Sequence, residues 1–478
     1  MALRSGEAYL ASLKDDRSVW LAGERVDATS HPALAPCARA VAELYDLQCD
    51  PAHGDLLTIE SPSSGQRVSL AYLMPQSVED LARHRGMIEF IMRRTGAALG
   101  RPPDYMAIML IGFYDVRDIL RQEDPAFADN IERYFEYCRE NDICITHGFG
   151  DTPRDRNLPM DYYERLKVVE ERPDGIVIRG ARNVATLAPY ADEYLGLTAP
   201  RPDLTPEEIV YFAVPMNTRG LHVICRQPLS AVPPEDHPIS AFYDEMDAMV
   251  VFDDVFIPRD RVFYLRRVDM NDQLFGRILA LASYHMLIRI SIKADILLGI
   301  GAAMADYLGI TNQPQAQDAL CALIDYRETL RGFLLAAEQR PVRSLSGYTL
   351  PNPTQVLMGR VHGMQHHAEA MQRARELCGS GLLMAPRQAD LASPDVGPYV
   401  SRFLIGKDQR APDRYRMLKL AWDYLADSFA ARQLLFELHA GSTLPATKQR
   451  LIGQYDSSES VQLAKELAGI TDGAVGSP

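Results

Sequence analysis

The sequence predicts a mainly helical α+β protein in three blocks: an N-terminal α-helical domain over residues 1–142, a middle β-barrel domain over 143–265 and a C-terminal four-helix bundle over 266–455, with a tail over 456–478. Two observations predict it. Apolar residues recur at helical spacing in the first block, alternate between turn residues in the second, and return to long helical runs after Arg266. The 478 residues also exceed the ~250–300 at which one hydrophobic core stops growing, so the core divides.

In the first block, Ser77-Val78-Glu79-Asp80 has the spacing of a capped helix start, after which Leu81, Ile88, Ile91 and Met92 share a face. A second helix puts Phe127, Ile131, Tyr134, Phe135 and Cys138 on one side and Asp129, Glu132, Arg133, Glu136 and Arg139 on the other. In the second block, Pro173-Asp174-Gly175 between Val168-Val169 and Ile176-Val177-Ile178 is a hairpin with its turn chemistry in place. Further strands are expected at 211–214, 221–225 and 249–257. The bundle helices are expected at 278–308, 316–338, 354–377 and 412–440, the last stopped by Gly441. Residues 473–478 are expected to be disordered.

An apolar content of 47% with 24% charged residues excludes a disordered chain, a coiled coil and a disulfide-stapled miniature. The net charge of -14 argues against nucleic acid or an anionic membrane as the main partner. Seven scattered cysteines without a Cys-x-x-Cys point to free thiols in a reducing compartment. The longest apolar run, 296–305, falls short of a membrane span, and the first residues carry no apolar signal core, so a cytoplasmic protein is expected.

Rossmann, P-loop, zincin and esterase-elbow signatures are all missing. His362, His366 and Glu369 would share one helix face, either as metal ligands or as a polar stripe at a subunit contact; the stripe is the favoured reading and no metal is expected. Gly100-Arg101-Pro102-Pro103-Asp104-Tyr105 joins two helices through a stiff turn. Arg101 and Tyr105 could anchor an oxygen-bearing ligand, or an Arg101–Asp104 pair could tie the helix ends. His147 ends a short strand at a domain boundary and precedes Gly148-Phe149-Gly150-Asp151, where backbone can approach a ligand closely. It serves either as a base or hydrogen-bond partner, or as loop structure.

The order helices, β-domain, bundle resembles the acyl-CoA dehydrogenase fold, in which flavin lies between the β-domain and the bundle. Nearly the whole chain resembles the oxygenase component of the 4-hydroxyphenylacetate 3-hydroxylase family of two-component flavin monooxygenases. The resemblance rests on Ser5-Gly6-Glu7-Ala8-Tyr9-Leu10-Ala11-Ser12-Leu13, Gly23-Glu24-Arg25-Val26, Thr29-Ser30-His31-Pro32, Arg101-Pro102-Pro103-Asp104-Tyr105, Thr146-His147, Gly180-Ala181-Arg182-Asn183-Val184-Ala185-Thr186, and 432–438 followed by Ala440-Gly441-Ser442.

That resemblance implies FAD, supplied as FADH2 by a separate flavin reductase, with dioxygen as co-substrate. It implies hydroxylation of a small phenol ortho to its hydroxyl through a flavin C4a-hydroperoxide, the phenol being tyrosine-like or hydroxyphenyl, free or tethered to a carrier. A homotetramer is implied as well. By resemblance, Arg101 faces the hydroperoxide while Tyr105 and His147 hold the substrate hydroxyl. Thr186, the loop Pro153, Arg154, Asp155 and Arg156, the turn His147-Gly148-Phe149 and the closing segment Gly441-Ser442 lie against flavin. Thr198 and Ala199 belong to a loop lining the substrate pocket. The chain departs from the family at 148–151 and 197–205, both on the substrate side. Two alternatives are a flavin-dependent lyase resembling 4-hydroxybutyryl-CoA dehydratase, which needs a cysteine-held iron–sulfur cluster, and a non-catalytic scaffold of the same fold.

Overall fold

A computed structural model describes residues 3–153, 155, 157, 165–405, 410–439 and 441–470. Helices α1 (Ala35–Cys49), α2 (Val78–Arg94), α3 (Pro103–Asp115) and α4 (Pro125–Asn141) form most of the first block. The Ser77 hydroxyl accepts from the Asp80 N–H and caps α2, as the sequence spacing requires. Asp124 caps α4, which ends at Asp142 in the left-handed conformation with φ 51°. Helix α3 is buried on nearly every side, and a Cβ at Gly112 would fall 2.3 Å from the Ile278 carbonyl oxygen. It is thus the central rod of the molecule.

Strands β1 (Ser18–Leu21), β2 (Glu24–Arg25), β3 (Ile145–Thr146), β4 (Lys167–Arg172), β5 (Gly175–Thr186), β6 (Glu193–Gly196), β7 (Val210–Pro215), β8 (Leu221–Cys225), β9 (Asp247–Pro258) and β10 (Val262–Leu265) build two sheets, ordered β2-β1-β8-β9-β5-β4 and β10-β7-β6-β3. The Pro173–Gly175 turn joins β4 to β5 as expected. One result departs from the sequence reading: β1, within the first block, runs parallel to β8, with Val19 opposite Val223.

Helices α5 (Val268–Ile278), α6 (Ala280–Tyr307), α7 (Pro314–Gln339), α8 (Pro353–Cys378), α9 (Ala411–Leu425) and α10 (Ser428–His439) follow. The central three, α6 to α8, pack on one another. The single helix expected over 412–440 is broken, because Asp427 turns to accept the Phe429 and Ala430 N–H groups and starts α10 afresh. Beyond it, α11 (Leu444–Gln454) lies on α8, and α12 (Ser458–Leu467) forms where the sequence suggests a tail. Residues 473–478 lie outside the described residues.

The fold is that of the acyl-CoA dehydrogenases, with a helical region, paired sheets and a helical bundle in chain order. Among the described residues no helix is long and apolar enough to cross a membrane. All seven cysteines are free thiols.

Candidate active site

The site grows from the turn before α3. Pro102 holds extended backbone and Pro103 takes the first helical position, where its missing N–H costs nothing. The N–H groups of Gly100 and Arg101 both donate to the Glu245 carboxylate, the latter at 3.0 Å. Gly100 is required here: a Cβ would sit 2.1 Å from the ring of Phe436. The turn therefore aims Arg101 inward, where its guanidinium lies 4.2 Å from the Tyr105 ring centroid and 5.2 Å from that of Phe436.

Arg101, Tyr105 and His147 come together in the buried interior between α3 and the end of β3. The Tyr105 and His147 rings stack at 5.9 Å, and His147 stacks on Phe149 at 4.1 Å. Phe149 in turn meets Phe275 of α5 edge-on at 5.2 Å, which closes the aromatic wall.

A second histidine, which the sequence reading misses, completes the group. His285 of α6 meets the Tyr105 ring edge-on at 5.2 Å, and its Nε2 lies 2.9 Å from Asp104 Oδ2. The expected Arg101–Asp104 pair is thereby replaced by an Asp104–His285 pair. An ionised carboxylate only accepts, so Nε2 carries the hydrogen and Nδ1 keeps its lone pair. Burial holds both histidines below the ordinary imidazole range; His147 is pushed well below by burial and then by the Arg101 charge, whereas Asp104 partly restores His285.

The Tyr105 hydroxyl, both ring nitrogens of His147 and Nδ1 of His285 are buried without a hydrogen-bond partner. Each such atom costs about 1–3 kcal/mol, and four around one tyrosine mark a place that a polar ligand completes. Here an oxygen-bearing ring fits the residues present.

A buried ion network supports them. Arg289 of α6 donates to the Gly100 carbonyl at 3.0 Å and to Glu437 at 2.9 and 3.1 Å, while Lys293 reaches Glu437 at 2.7 Å. Arg432 binds Asp247 at 2.7 and 2.8 Å and Glu245 at 3.1 Å. The Thr186 hydroxyl donates to Asp247 at 2.8 Å, so the chain Thr186–Asp247–Arg432–Glu245 ties the β-sheet edge to the Arg101 turn. A single sequence gives no local signal for these pairs.

The other expected residues fall as follows. Gly148 exchanges hydrogen bonds with the Tyr194 hydroxyl, donating at 3.1 Å and accepting at 2.8 Å. Thr198 is fully buried, but its hydroxyl donates to the Glu208 carbonyl at 2.7 Å and so is committed to backbone; Ala199 is half-buried beside it. Gly441, at φ 75°, approaches Met286 and Arg360 of the bundle, and the Ser442 hydroxyl donates to the Thr443 carbonyl. Pro153 and Asp155 are exposed, and Arg154 and Arg156 lie outside the described residues.

The His362 and His366 rings meet tilted at 4.5 Å, and His366 Nδ1 lies 4.0 Å from an exposed Glu369 carboxylate, so the three share one helix face as a polar stripe. Among the described residues the one group close enough to share a cation is His237, Asp423 and Asp427, elsewhere in the fold. There each carboxylate uses one oxygen on backbone N–H groups and turns the other to His237 Nδ1 at 3.5 and 3.1 Å, so the three side chains are partnered within the protein.

Fold and site together define a flavin-type catalytic scaffold with a polar aromatic pocket. The chain belongs to the 4-hydroxyphenylacetate 3-hydroxylase family: the family's N-terminal model matches residues 5–264 and its C-terminal model residues 275–469. It is 33% identical to the oxygenase component of 4-nitrophenol 4-monooxygenase/4-nitrocatechol 2-monooxygenase from Rhodococcus opacus, over 98% of this chain and 92% of that protein. The structure matches the oxygenase component of 4-hydroxyphenylacetate 3-monooxygenase, solved with FAD and 4-hydroxyphenylacetate, at a TM-score of 0.92 and 30% identity over 98% of each chain. A match to 4-hydroxybutyryl-CoA dehydratase from N. maritimus, at a TM-score of 0.87 and 22% identity over 100% and 97%, is one of fold alone. No cysteine lies between Cys49 and Cys138 to hold a cluster near Arg101, so the lyase alternative lacks its ligands.

Proposed function

We propose that this protein is the oxygenase component of a two-component monooxygenase that hydroxylates a small phenol ortho to its hydroxyl, using reduced FAD from a separate reductase and dioxygen. The observation that carries it is the cluster of unpartnered, buried polar atoms of Tyr105, His147 and His285, whose rings contact one another beside Arg101. When bound, reduced FAD reacts with dioxygen and supplies an electrophilic oxygen; every other demand falls on the chain.

The phenol ring becomes a strong enough nucleophile only as its O–H proton leaves. Two neutral histidines compete for that proton, and the charges around them decide. His285 has the Asp104 carboxylate at 2.9 Å to stabilise an imidazolium, whereas His147 has the Arg101 cation beside it and no carboxylate. His285 Nδ1 is therefore the base, and His147 with Tyr105 holds the phenol oxygen. Arg101 presents positive charge to the developing phenolate and to the reactive edge of the flavin. Thr186, the 148–149 turn and Gly441-Ser442 form the flavin side. Thr198, with its hydroxyl committed to backbone, lends shape rather than a hydrogen bond to the substrate wall, and Ala199 lies next to it.

The exposed Leu383, Met384, Tyr399 and Phe403 of the bundle side support assembly as a homotetramer. Seven free thiols support a cytoplasmic setting. The test is catechol formation from a panel of phenols, with FAD, NADH and a generic flavin reductase; oxygen uptake that no phenol stimulates would overturn the reading.

A further inference from the structure

Asp104, the partner of His285, also lines a partly open cavity of about 30 Å³. That is room for about two water molecules. Asp104 forms part of its wall, with Tyr45 and Gln48 of α1, Ala107 of α3 and Asp142 at the end of α4. Asp104 Oδ1, the Tyr45 hydroxyl and Gln48 Oε1 are all buried without a hydrogen-bond partner, and these three side chains line the small cavity. An apolar cavity would stay dry, whereas this one has the donors and acceptors water needs.

Asp142 closes the far end. Its carboxylate accepts from the Gln48 side-chain amide at 3.3 Å and from the Arg4 N–H at 3.5 Å, and Arg4 is held by Asp192 at 2.6 Å. The charged and titratable groups facing it are thus Arg4, Asp192 and Tyr72, with Tyr45 and Cys49 of α1 beside the Gln48 amide. Burial pushes the Asp142 carboxyl up to about 7, against the pull of Arg4, so this group exchanges protons near neutrality.

We propose that the cavity is the proton port of the site, through which Asp142 and the enclosed water pass the phenolic proton between the Asp104–His285 pair and solvent. This rests on the phenol reading above. The phenol O–H bond breaks as N–H forms at His285 Nδ1; the Nε2 proton passes to Asp104 Oδ2, the carboxyl turns that O–H toward the cavity and gives the proton to the enclosed water, and the water passes one of its own protons to the Asp142 carboxylate. One proton moves, the electron pair stays on the phenolate oxygen, and nothing is oxidised.

The experiment mixes the full chain, with oxidised FAD, with 4-nitrophenol in a stopped-flow instrument. The nitrophenolate colour reads ionisation of the bound phenol, and a pH indicator reads proton release. Asp142→Asn, which keeps the left-handed backbone that asparagine tolerates, should slow proton release by about tenfold or more and leave nitrophenol affinity unchanged. Ala107→Leu, which fills the cavity and displaces its water while leaving every titratable side chain in place, should do the same. Binding with proton release at the wild-type rate in both variants would overturn the port alone. Failure of the wild-type chain to bind 4-nitrophenol would overturn the phenol reading and the port with it.

Discussion

Replacing Asp104 with asparagine tests the assignment of the base. The His285–Asp104 contact is 2.9 Å long and both side chains are buried, so the carboxylate fixes the tautomer and stabilises the imidazolium as proton transfer proceeds. An asparagine can donate its amide N–H to Nε2, which would move the ring hydrogen to Nδ1 and block the lone pair that faces the phenol. A charge-assisted hydrogen bond is worth about 1.5–3 kcal/mol, and general-base catalysis about 10²–10⁴ in rate. Asp104→Asn should therefore lower kcat for a weakly acidic phenol by about 10²-fold or more, with little change in KM. A nitrophenol already ionised at the assay pH needs no base and should lose far less. The assay is catechol formation from both phenols with the same reductase. Equal loss on the two would refute the role, because it would place the damage in folding or flavin binding.

On the proposed placement of Arg101 beside the flavin, Arg101→Ala should raise the hydrogen peroxide released per catechol formed; coupling measured with catalase present and absent checks it. His147→Ala should raise KM for the phenol several-fold while FAD binding, read by titration, stays as in wild type. Glu437→Ala leaves Arg289 and Lys293 buried without their carboxylate and should cost about 3–5 kcal/mol in urea unfolding. For Asp142 the folded carboxyl sits at about 7 against ~3.9 unfolded, so the folded state binds the extra proton between these values. Its stability contribution is present below pH ~4 and is lost as pH rises through about 7, a swing of roughly 4 kcal/mol at ~1.4 kcal/mol per unit. Asp142→Asn should accordingly unfold at higher denaturant than wild type at pH 8 and lose most of that gain by pH ~4.

Elements whose cause is local were legible in the sequence. The Pro173–Gly175 turn, the Ser77 cap and the two-sided pattern of α4 each need only a few neighbouring residues. Helix α3 carries no such pattern because it is buried on nearly every side, and β1 is four residues whose partner lies some two hundred positions on. The same division runs through the site. Arg101, Tyr105 and His147 stand next to Pro-Pro and Gly-rich turns, which announce a fixed or close-approaching backbone. His285 sits in a helix buried on most of its length, 181 residues from Asp104, and nothing near it in sequence betrays the pair. Glu245, Asp247 and Arg432 are hidden for the same reason.

What those hidden groups share is cost. A buried carboxylate that holds its proton to neutrality, a histidine whose Nδ1 has no partner and a tyrosine hydroxyl without an acceptor each take stability away from the folded chain. Unpartnered atoms occur elsewhere in the interior too, at Arg182 and Ser283 for example, so the cost alone marks no path. What sets this group apart is contact: Asp104 lines the cavity at Asp142 and holds His285, whose ring meets Tyr105, which stacks on His147. A continuous path is what proton transfer needs and what packing alone would not select, so breaking it at Asp104 and at Asp142 should impair ionisation of the bound phenol at different steps, the first at its formation and the second at release of its proton.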